Sequence, residues 1–386
     1  MKILIIPSWH PASVKPNWCT WILPHVNALK ENGHDVYVLQ VDMETPFESE
    51  KNHVFLNTKH IYGKLSVNKH KWSRTRFFYG STLSRYCKKL QELYKIVEKE
   101  WGKPDVIHAH VSLPAGYGAA ELGQKENIPV IVTEHYSGFE SDARFWWRVG
   151  SYVKEMGKKI QGFYTVSPGN AERIEKTNLL KVTGVLPNPI DTSVFSPKDA
   201  KRTSKKFEIV TAGGLSYIKG TDILFDALKI IGKKVDWHLT LFGNANKQKE
   251  YDTWLNDPLL SKRITLRGKV SQKELAEQYS ISDLYVVSSR VETANVSMLE
   301  AMACGCAVVT TEIGAPETLI DDSVGVSVPS EDPKTMAEAI LMMSNSIENY
   351  KREELREFVV QNYSKMAVVD RMIDAYNLSI EVKNDN

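Results

Sequence analysis

Short β-branched runs alternate with helical segments along almost the whole chain, which restricts the fold to parallel sheets with crossover helices. In the first half, strands are expected at KILII (2–6), VYVLQV (36–41), DVIHAH (105–110), VIVTEH (130–135) and FYTVS (163–167). Each run ends near small or polar residues, the end at which an open parallel sheet places its ligands. A first helix over 20–32 should stop at Gly33, a residue suited to the left-handed terminating position. Near Val185 the pattern gives way to VLPNPIDTSVFSPKDAKRTSKKF, three prolines and then a polar basic run, which reads as a connection between domains. A second series follows at 208–214, 239–244, 264–268, 284–289, 307–311 and 324–329. The expected class is α/β, with two Rossmann-like, doubly wound parallel-sheet domains at 1–198 and 199–365 facing each other across a cleft. A charged helical segment at 366–386 would pack back on the first domain.

Length agrees with this division, since 386 residues exceed what one hydrophobic core usually organises. A net charge of +2 gives no general pull toward nucleic acid. No apolar run approaches the roughly 20 residues needed to span a bilayer, and MKILIIPSWHP is too short for a signal-peptide core. The four cysteines (Cys19, Cys87, Cys304, Cys306) have neither zinc-site nor disulfide spacing, so a reduced, cytoplasmic setting is expected.

Chemistry concentrates in SSRVETANVSMLEAMACGCAVVTT, residues 288–311. Glu292 lies just before a helix and Glu300 on its second turn, about 12 Å apart at helical rise. That matches the span from a sugar hydroxyl to a ribose across a diphosphate. The helix N-terminus between them offers unpaired amides to phosphate. The alternative is that both glutamates simply favour the positive end of a helix.

In this order and spacing the motifs resemble family 4 of the retaining glycosyltransferases, with the two-domain GT-B fold. They are ILIIPSWHP, ALKENGHDVYVL, DVIHAHVSLPAGYGAA, IVTEHYSGF, VLPNPIDTSVF, AGGLSYIKGTDILFDAL, LFGNA, RITLRGKVSQKELAEQYSISDLYVVSSRVET and the stretch just described. The likeness covers nearly the whole chain. It implies a donor site in which Glu292 meets the sugar hydroxyls and Glu300 the ribose hydroxyls, because a carboxylate accepts two hydroxyl hydrogen bonds. It places the backbone amides of Ala294, Asn295 and Val296 on the sugar and diphosphate. Lys219 matches the lysine that neutralises the leaving diphosphate, where a fixed cation lowers the barrier directly. His135 matches the histidine that approaches the sugar near the reacting carbon. His110, with His108 two residues away on the same strand face, either packs or lines the acceptor side.

Three departures from the family pattern stand out. Gly214, after Gly213, occupies the place of an arginine that is the second phosphate cation, and lysine cannot imitate its bidentate fork. Arg267 and Arg290, at expected strand C-termini, are candidates to compensate. Asn295 lies at or next to a usual glycine, and asparagine tolerates unusual backbone angles. In HPASVKPNWCTWI, Cys19 replaces a phosphate-loop glycine. There Asn17, Trp18 and Trp21 either form an acceptor platform for sugar rings or, for Trp21, cap the first helix.

Residues 69–99 carry nine cations against Glu92 and Glu98, interleaved with six aromatics. Either this surface rests on anionic lipid, joined by RFWWRVG (144–150), or the aromatics enter the first domain's core. No nucleic-acid module accompanies the charge.

These features imply a retaining hexosyltransferase using a UDP- or GDP-linked sugar, acting on a glycan or lipid-linked acceptor for cell-surface polysaccharide. Its place would be the cytoplasm or the inner face of the cell membrane. The resemblance implies no metal and no cofactor beyond the donor, and no carboxylate cluster suits Mg²⁺. A partner subunit that binds nucleotide sugar with weakened catalysis is the rival that Gly214 raises. A GT-B nucleotide-sugar epimerase would need more carboxylates converging on the sugar than Glu292 alone.

Overall fold

Eight strands build the first sheet: β1 (Lys2–Pro7), β2 (Asp35–Asp42), β3 (Lys51–Phe55), β4 (Thr58–Lys64), β5 (Val106–His110), β6 (Val130–Glu134), β7 (Gly162–Thr165) and β8 (Gly184–Val185). Their spatial order is β3-β4-β2-β1-β5-β6-β7-β8, parallel throughout except for β3 against β4. The structure, a computed structural model, describes residues 1–9, 22–43, 51–55, 58–65, 76–136, 143–198, 205–244 and 248–385, with backbone alone at 51–55, 58, 64, 76–78 and 143–145. Asn17, Trp18, Cys19 and Trp21 lie outside the described residues, as do 69–75 of the basic stretch.

Strand β1 shows why its sequence reads as an unbroken apolar run. Leu4 and Ile6 enter one core cluster and Ile3 and Ile5 the other, so both faces of the sheet are covered. Helices α1 (Ile22–Glu31), α2 (Arg76–Trp101), α3 (Tyr117–Glu126), α4 (Ala143–Gly157) and α5 (Pro168–Lys176) supply that cover. Helix α1 ends where Gly33 takes φ +81° and the His34 N–H reaches back to the Leu29 carbonyl, a Schellman closure. On α2, Tyr79, Tyr86 and Tyr94 are buried in the core while Arg85, Lys88, Lys95 and Lys99 face solvent. Those three aromatics therefore take the core reading. Trp147 on α4 is 85% exposed. Among the described residues no helix is long and apolar enough to cross a membrane.

The second sheet has six parallel strands: β9 (Phe207–Ala212), β10 (Trp237–Phe242), β11 (Ile264–Gly268), β12 (Leu284–Val287), β13 (Ala307–Glu312) and β14 (Gly325–Pro329). Its order, β11-β10-β9-β12-β13-β14, reverses direction between β9 and β12. That reversal opens a crevice at the strand C-termini, where doubly wound sheets bind ligands. Helices α6 (Thr221–Ile231), α7 (Gln272–Ile281), α8 (Val296–Ala303), α9 (Pro333–Ser346) and α10 (Arg352–Tyr363) follow, and α11 (Lys365–Asn384) closes the chain.

The chain divides into Met1–Pro189 with Val368–Asn386, and Ile190–Ala367. The expected division after 198 differs because 190–198 is held by the second unit. Arg356 donates to the carbonyls of Thr192 and Phe195, and the Phe195 ring is buried 6.3 Å from that of Tyr279. Helix α11 buries Val368, Val369, Met372, Ala375 and Tyr376 in the first unit's core. Each large apolar side chain so buried contributes about 1.5–3 kcal/mol relative to exposure.

Candidate functional site

The two loops at the second sheet's switch point are laced together before any ligand is considered. One leaves β9 at Gly213 and runs into α6; the other leaves β12 at Ser288 and runs into α8. The Ser288 hydroxyl donates to the Lys219 carbonyl at 2.9 Å, and the Arg290 N–H donates to the Ile218 carbonyl at 2.8 Å. Between the loops lies a small recess lined by Gly213, Gly214, Lys219, Thr221, Ser289 and Asn295, among others. Gly214 has φ +73°, and a Cβ there would sit 2.3 Å from the Asn244 carbonyl oxygen. Only glycine fits this backbone, so the place that the family resemblance gives to an arginine is closed to any side chain as the loop stands.

Glu292 is the centre of the recess's polar network. Its Oε1 accepts from Lys219 Nζ at 2.7 Å, Ser289 Oγ at 2.9 Å and Asn295 Nδ2 at 3.0 Å. Asn295 takes the left-handed conformation, φ +57°, and its Oδ1 accepts from the Met298 N–H as the N-cap of α8. One side chain thus caps the helix and orients the glutamate, which a glycine could not do. Ala294 is buried beside it, and Val296 opens the helix with an amide that has no intrahelical acceptor. On the next turn, Glu300 keeps part of its surface exposed, yet desolvation of its carboxyl pushes its pKa up to about 8.

The arginines do not take the compensating place expected of them. Arg290 forks onto Asp222 at 2.7 and 2.8 Å, reaches Glu331 at 2.5 Å, donates to the Tyr217 carbonyl at 2.6 Å and stacks 3.8 Å over the Tyr217 ring. With its donors committed, it holds the Lys219 loop rather than offering a phosphate fork. Arg267 is exposed on β11, near enough to Glu274 to lower that carboxyl's pKa, behind its Ser271 bonds. Since β10 lies between β11 and β9, Arg267 is two strands removed from the Lys219 loop.

In the first unit, four histidines gather at the C-terminal ends of β5 and β6. His108 is fully buried, its nitrogens bonded to the Tyr376 hydroxyl at 2.7 Å and Thr133 Oγ1 at 2.8 Å. His110 stacks on it at 4.1 Å and shares a 2.9 Å hydrogen bond between its Nδ1 and His135 Nε2. His25, from α1, meets both rings edge-on and bonds to Asn188 at 3.1 Å. Desolvation lowers all four pKa values, that of His25 to about 4, so these imidazoles are neutral at pH 7. Glu134 accepts the backbone N–H groups of Ser112, His135 and Tyr136 and so sets the start of the loop that carries His135.

Residues 21–194 match the family model Glycosyltransferase Family 4, and residues 206–346 match Glycosyl transferases group 1. The chain belongs to the family 4, group 1 glycosyltransferases. Its fold is GT-B. Sucrose-phosphate synthase from Thermosynechococcus elongatus superposes with a TM-score of 0.76 at 19% identity over 98% of each chain. Anabaena HepE in complex with UDP does so with 0.72 at 14%, over 98% of this chain and all of that one. The D-inositol 3-phosphate glycosyltransferase of Paenarthrobacter aurescens is 26% identical over 270 residues, 62% of this chain. The match spans 64% of that relative's length.

Within this family 4 chain, Ser289, Asp222, Glu134 and His25 escaped the sequence reading. Ser289 had a usable signal, three residues ahead of Glu292 at the end of a strand. Glu134 adjoins His135 in the sequence, whereas the other two are joined to their partners by tertiary proximity alone, across 68 residues for Asp222 and Arg290 and 163 for His25 and Asn188.

Proposed function

We propose that this chain is a retaining glycosyltransferase moving a sugar from a UDP- or GDP-linked donor to a glycan or lipid-linked acceptor for cell-surface polysaccharide, at the cytoplasmic side of the membrane. The observation that carries this reading is the Lys219–Glu292–Asn295 network at the β9/β12 switch point, beside the first amides of α8. In the reading, Lys219 and those amides stabilise charge as it grows on the leaving diphosphate. Glu292 and Glu300 accept the sugar and ribose hydroxyls, and His135 takes a further sugar hydroxyl.

The bond from the anomeric carbon to the diphosphate oxygen breaks, and the acceptor oxygen bonds to the same face. The acceptor's proton passes to the departing phosphate, so neither a protein nucleophile nor a metal enters the step. HepE, a neighbour in fold, was solved with UDP, which supports a UDP-linked donor; the Paenarthrobacter relative is named for inositol 3-phosphate, an acceptor that is neither a glycan nor lipid-linked. The second reading, a donor-binding subunit with weakened catalysis, is favoured by the closed position at Gly214.

Thermal shift with UDP, GDP, ADP and their sugars, followed by transfer assays on acceptor extracts, tests both. A product with the donor's anomeric configuration is expected, and an inverted product overturns the retaining assignment. Saturable nucleotide binding without turnover selects the subunit reading. No stabilisation by any nucleotide overturns both readings.

A further inference from the structure

We propose that His25, His110 and His135 form a binding site for one borderline divalent transition-metal ion such as Zn²⁺, Co²⁺ or Ni²⁺. The three come from separate elements: helix α1, the last residue of β5 and the first residue after β6. One ring nitrogen of each lies within 4.8 Å of the other two. Three nitrogens at about 2.0–2.1 Å from one tetrahedral cation lie roughly 3.4 Å apart, so any pair near the 4.8 Å limit must close by up to about 1.4 Å on binding.

Tautomer geometry singles out His25. Its Nε2 faces Asn188 Oδ1, a pure acceptor, so Nε2 carries the proton and Nδ1 carries a lone pair. That Nδ1 is buried and has no hydrogen-bond partner, while His25 is only 1% exposed. Donating the second N–H to an amide oxygen is how metal-ligating histidines are commonly oriented. His110 and His135 share one proton across their 2.9 Å bond, and a cation would take its place, the donating ring shifting that proton to its other nitrogen so that both imidazoles stay neutral. His108 is not a fourth ligand, because both its nitrogens are committed to Tyr376 and Thr133.

Burial keeps the imidazoles neutral, the form that coordinates. Among the described residues the cluster holds no thiolate or carboxylate, and neutral nitrogens favour Zn²⁺, Co²⁺, Ni²⁺ or Cu²⁺ over Mg²⁺ or Ca²⁺. Glu134, whose carboxylate receives the His135 N–H, places an acidic group one residue from the site. His135 retains partial exposure, which leaves a side open for the ion to enter. This departs from the metal-free expectation for the chain, and because the ion takes Nε2 of His135 it leaves only Nδ1 of that ring for the sugar hydroxyl of the proposed transfer.

The test uses the full chain without a polyhistidine tag, stripped with chelator and titrated with Co²⁺ or Zn²⁺ alone. One Co²⁺ per chain with visible d–d absorption is expected, with a Zn²⁺-dependent rise in Tm and no response to Mg²⁺. His25→Gln should weaken Co²⁺ binding at least about tenfold, whereas His238→Gln, in the other unit, should leave it unchanged. Absence of both the absorption and the Tm shift in the wild type overturns the site. So does undiminished affinity in a His25→Gln variant that melts cooperatively. The wild-type titration decides by itself if that variant does not fold, and it needs no nucleotide or turnover.

Discussion

Lys219 Nζ lies 2.7 Å from Glu292 Oε1, so the cation proposed for the leaving phosphates is neutralised by the carboxylate proposed for the sugar. The glutamate is the more enclosed partner, with 10% of its side chain exposed against 35% for the lysine. A diphosphate must therefore draw Lys219 away, while Ser289 and Asn295 keep Glu292 satisfied. Glu292→Gln should bind nucleoside diphosphate at least as tightly as wild type, because the competing charge is gone, yet lose most turnover. Lys219→Ala should weaken nucleotide binding and slow transfer by about 10²-fold or more. Calorimetry beside steady-state kinetics checks the pair; parallel losses of binding in both variants would contradict the competition.

Glu300 gives a pH dependence of definite sign. Its folded pKa, raised by desolvation to about 8, lies above the ordinary value of 4.5. Between those values the native state binds more protons than the unfolded one, so stability falls as pH rises from about 4.5 to about 8. The slope from this group approaches roughly 1.4 kcal/mol per pH unit at most. Urea unfolding from pH 5.5 to 8.5 should show a flatter profile for Glu300→Gln than for wild type. Superimposable profiles would remove the assignment.

Gly214 should resist repair. Its positive φ and its contact with the Asn244 backbone mean that Gly214→Ala lowers stability by about 1–3 kcal/mol. Gly214→Arg, which installs the arginine implied by the family resemblance, should weaken nucleotide binding unless the loop is rebuilt. Thermal melts with and without UDP or GDP give the answer; tighter binding by the arginine variant would show that the loop yields.

Arg290 acts on the site through Lys219's loop. Arg290→Lys loses the fork onto Asp222 and the stacking on Tyr217. The donor's KM should rise several-fold, and Asp222→Asn should produce the same direction of change. A variant with wild-type KM and Tm would show that the ion pair leaves the loop's position unaffected.

Tyr376 ties the final helix to the first sheet. Tyr376→Phe leaves one nitrogen of buried His108 without its 2.7 Å partner, and should cost about 1–3 kcal/mol. Leu378→Ala, at a position 48% exposed on the same helix, should change stability by less than about 0.5 kcal/mol. Denaturant midpoints compare the two.

Most strands were legible because a sheet covered on both faces demands uninterrupted apolar runs, as in Ile3 to Ile6. The β3–β4 hairpin was not: KNHVF carries polar residues that its edge position tolerates, and TKHIYGK mixes polar with apolar residues although β4 is paired on both sides. Of the candidate site, Glu292 was read from local order along the chain, whereas Lys219 and Asn295 were singled out by the family resemblance. Arg290 was misread because its ion partners Asp222 and Glu331 lie 68 and 41 residues away.

The sequence by itself determined what short-range chemistry can specify: two alternating α/β series, their crossover helices, and glutamates before and on the second turn of one helix. Tertiary structure alone decided which side chains share a proton, a charge or a buried wall. It paired Lys219 with Glu292, spent Arg290 on Asp222, and gathered His25, His108, His110 and His135 from three elements. Backbone periodicity is local and can be read along the chain. Ion pairing and desolvation depend on distances in space, which arise only when strands far apart in sequence become neighbours.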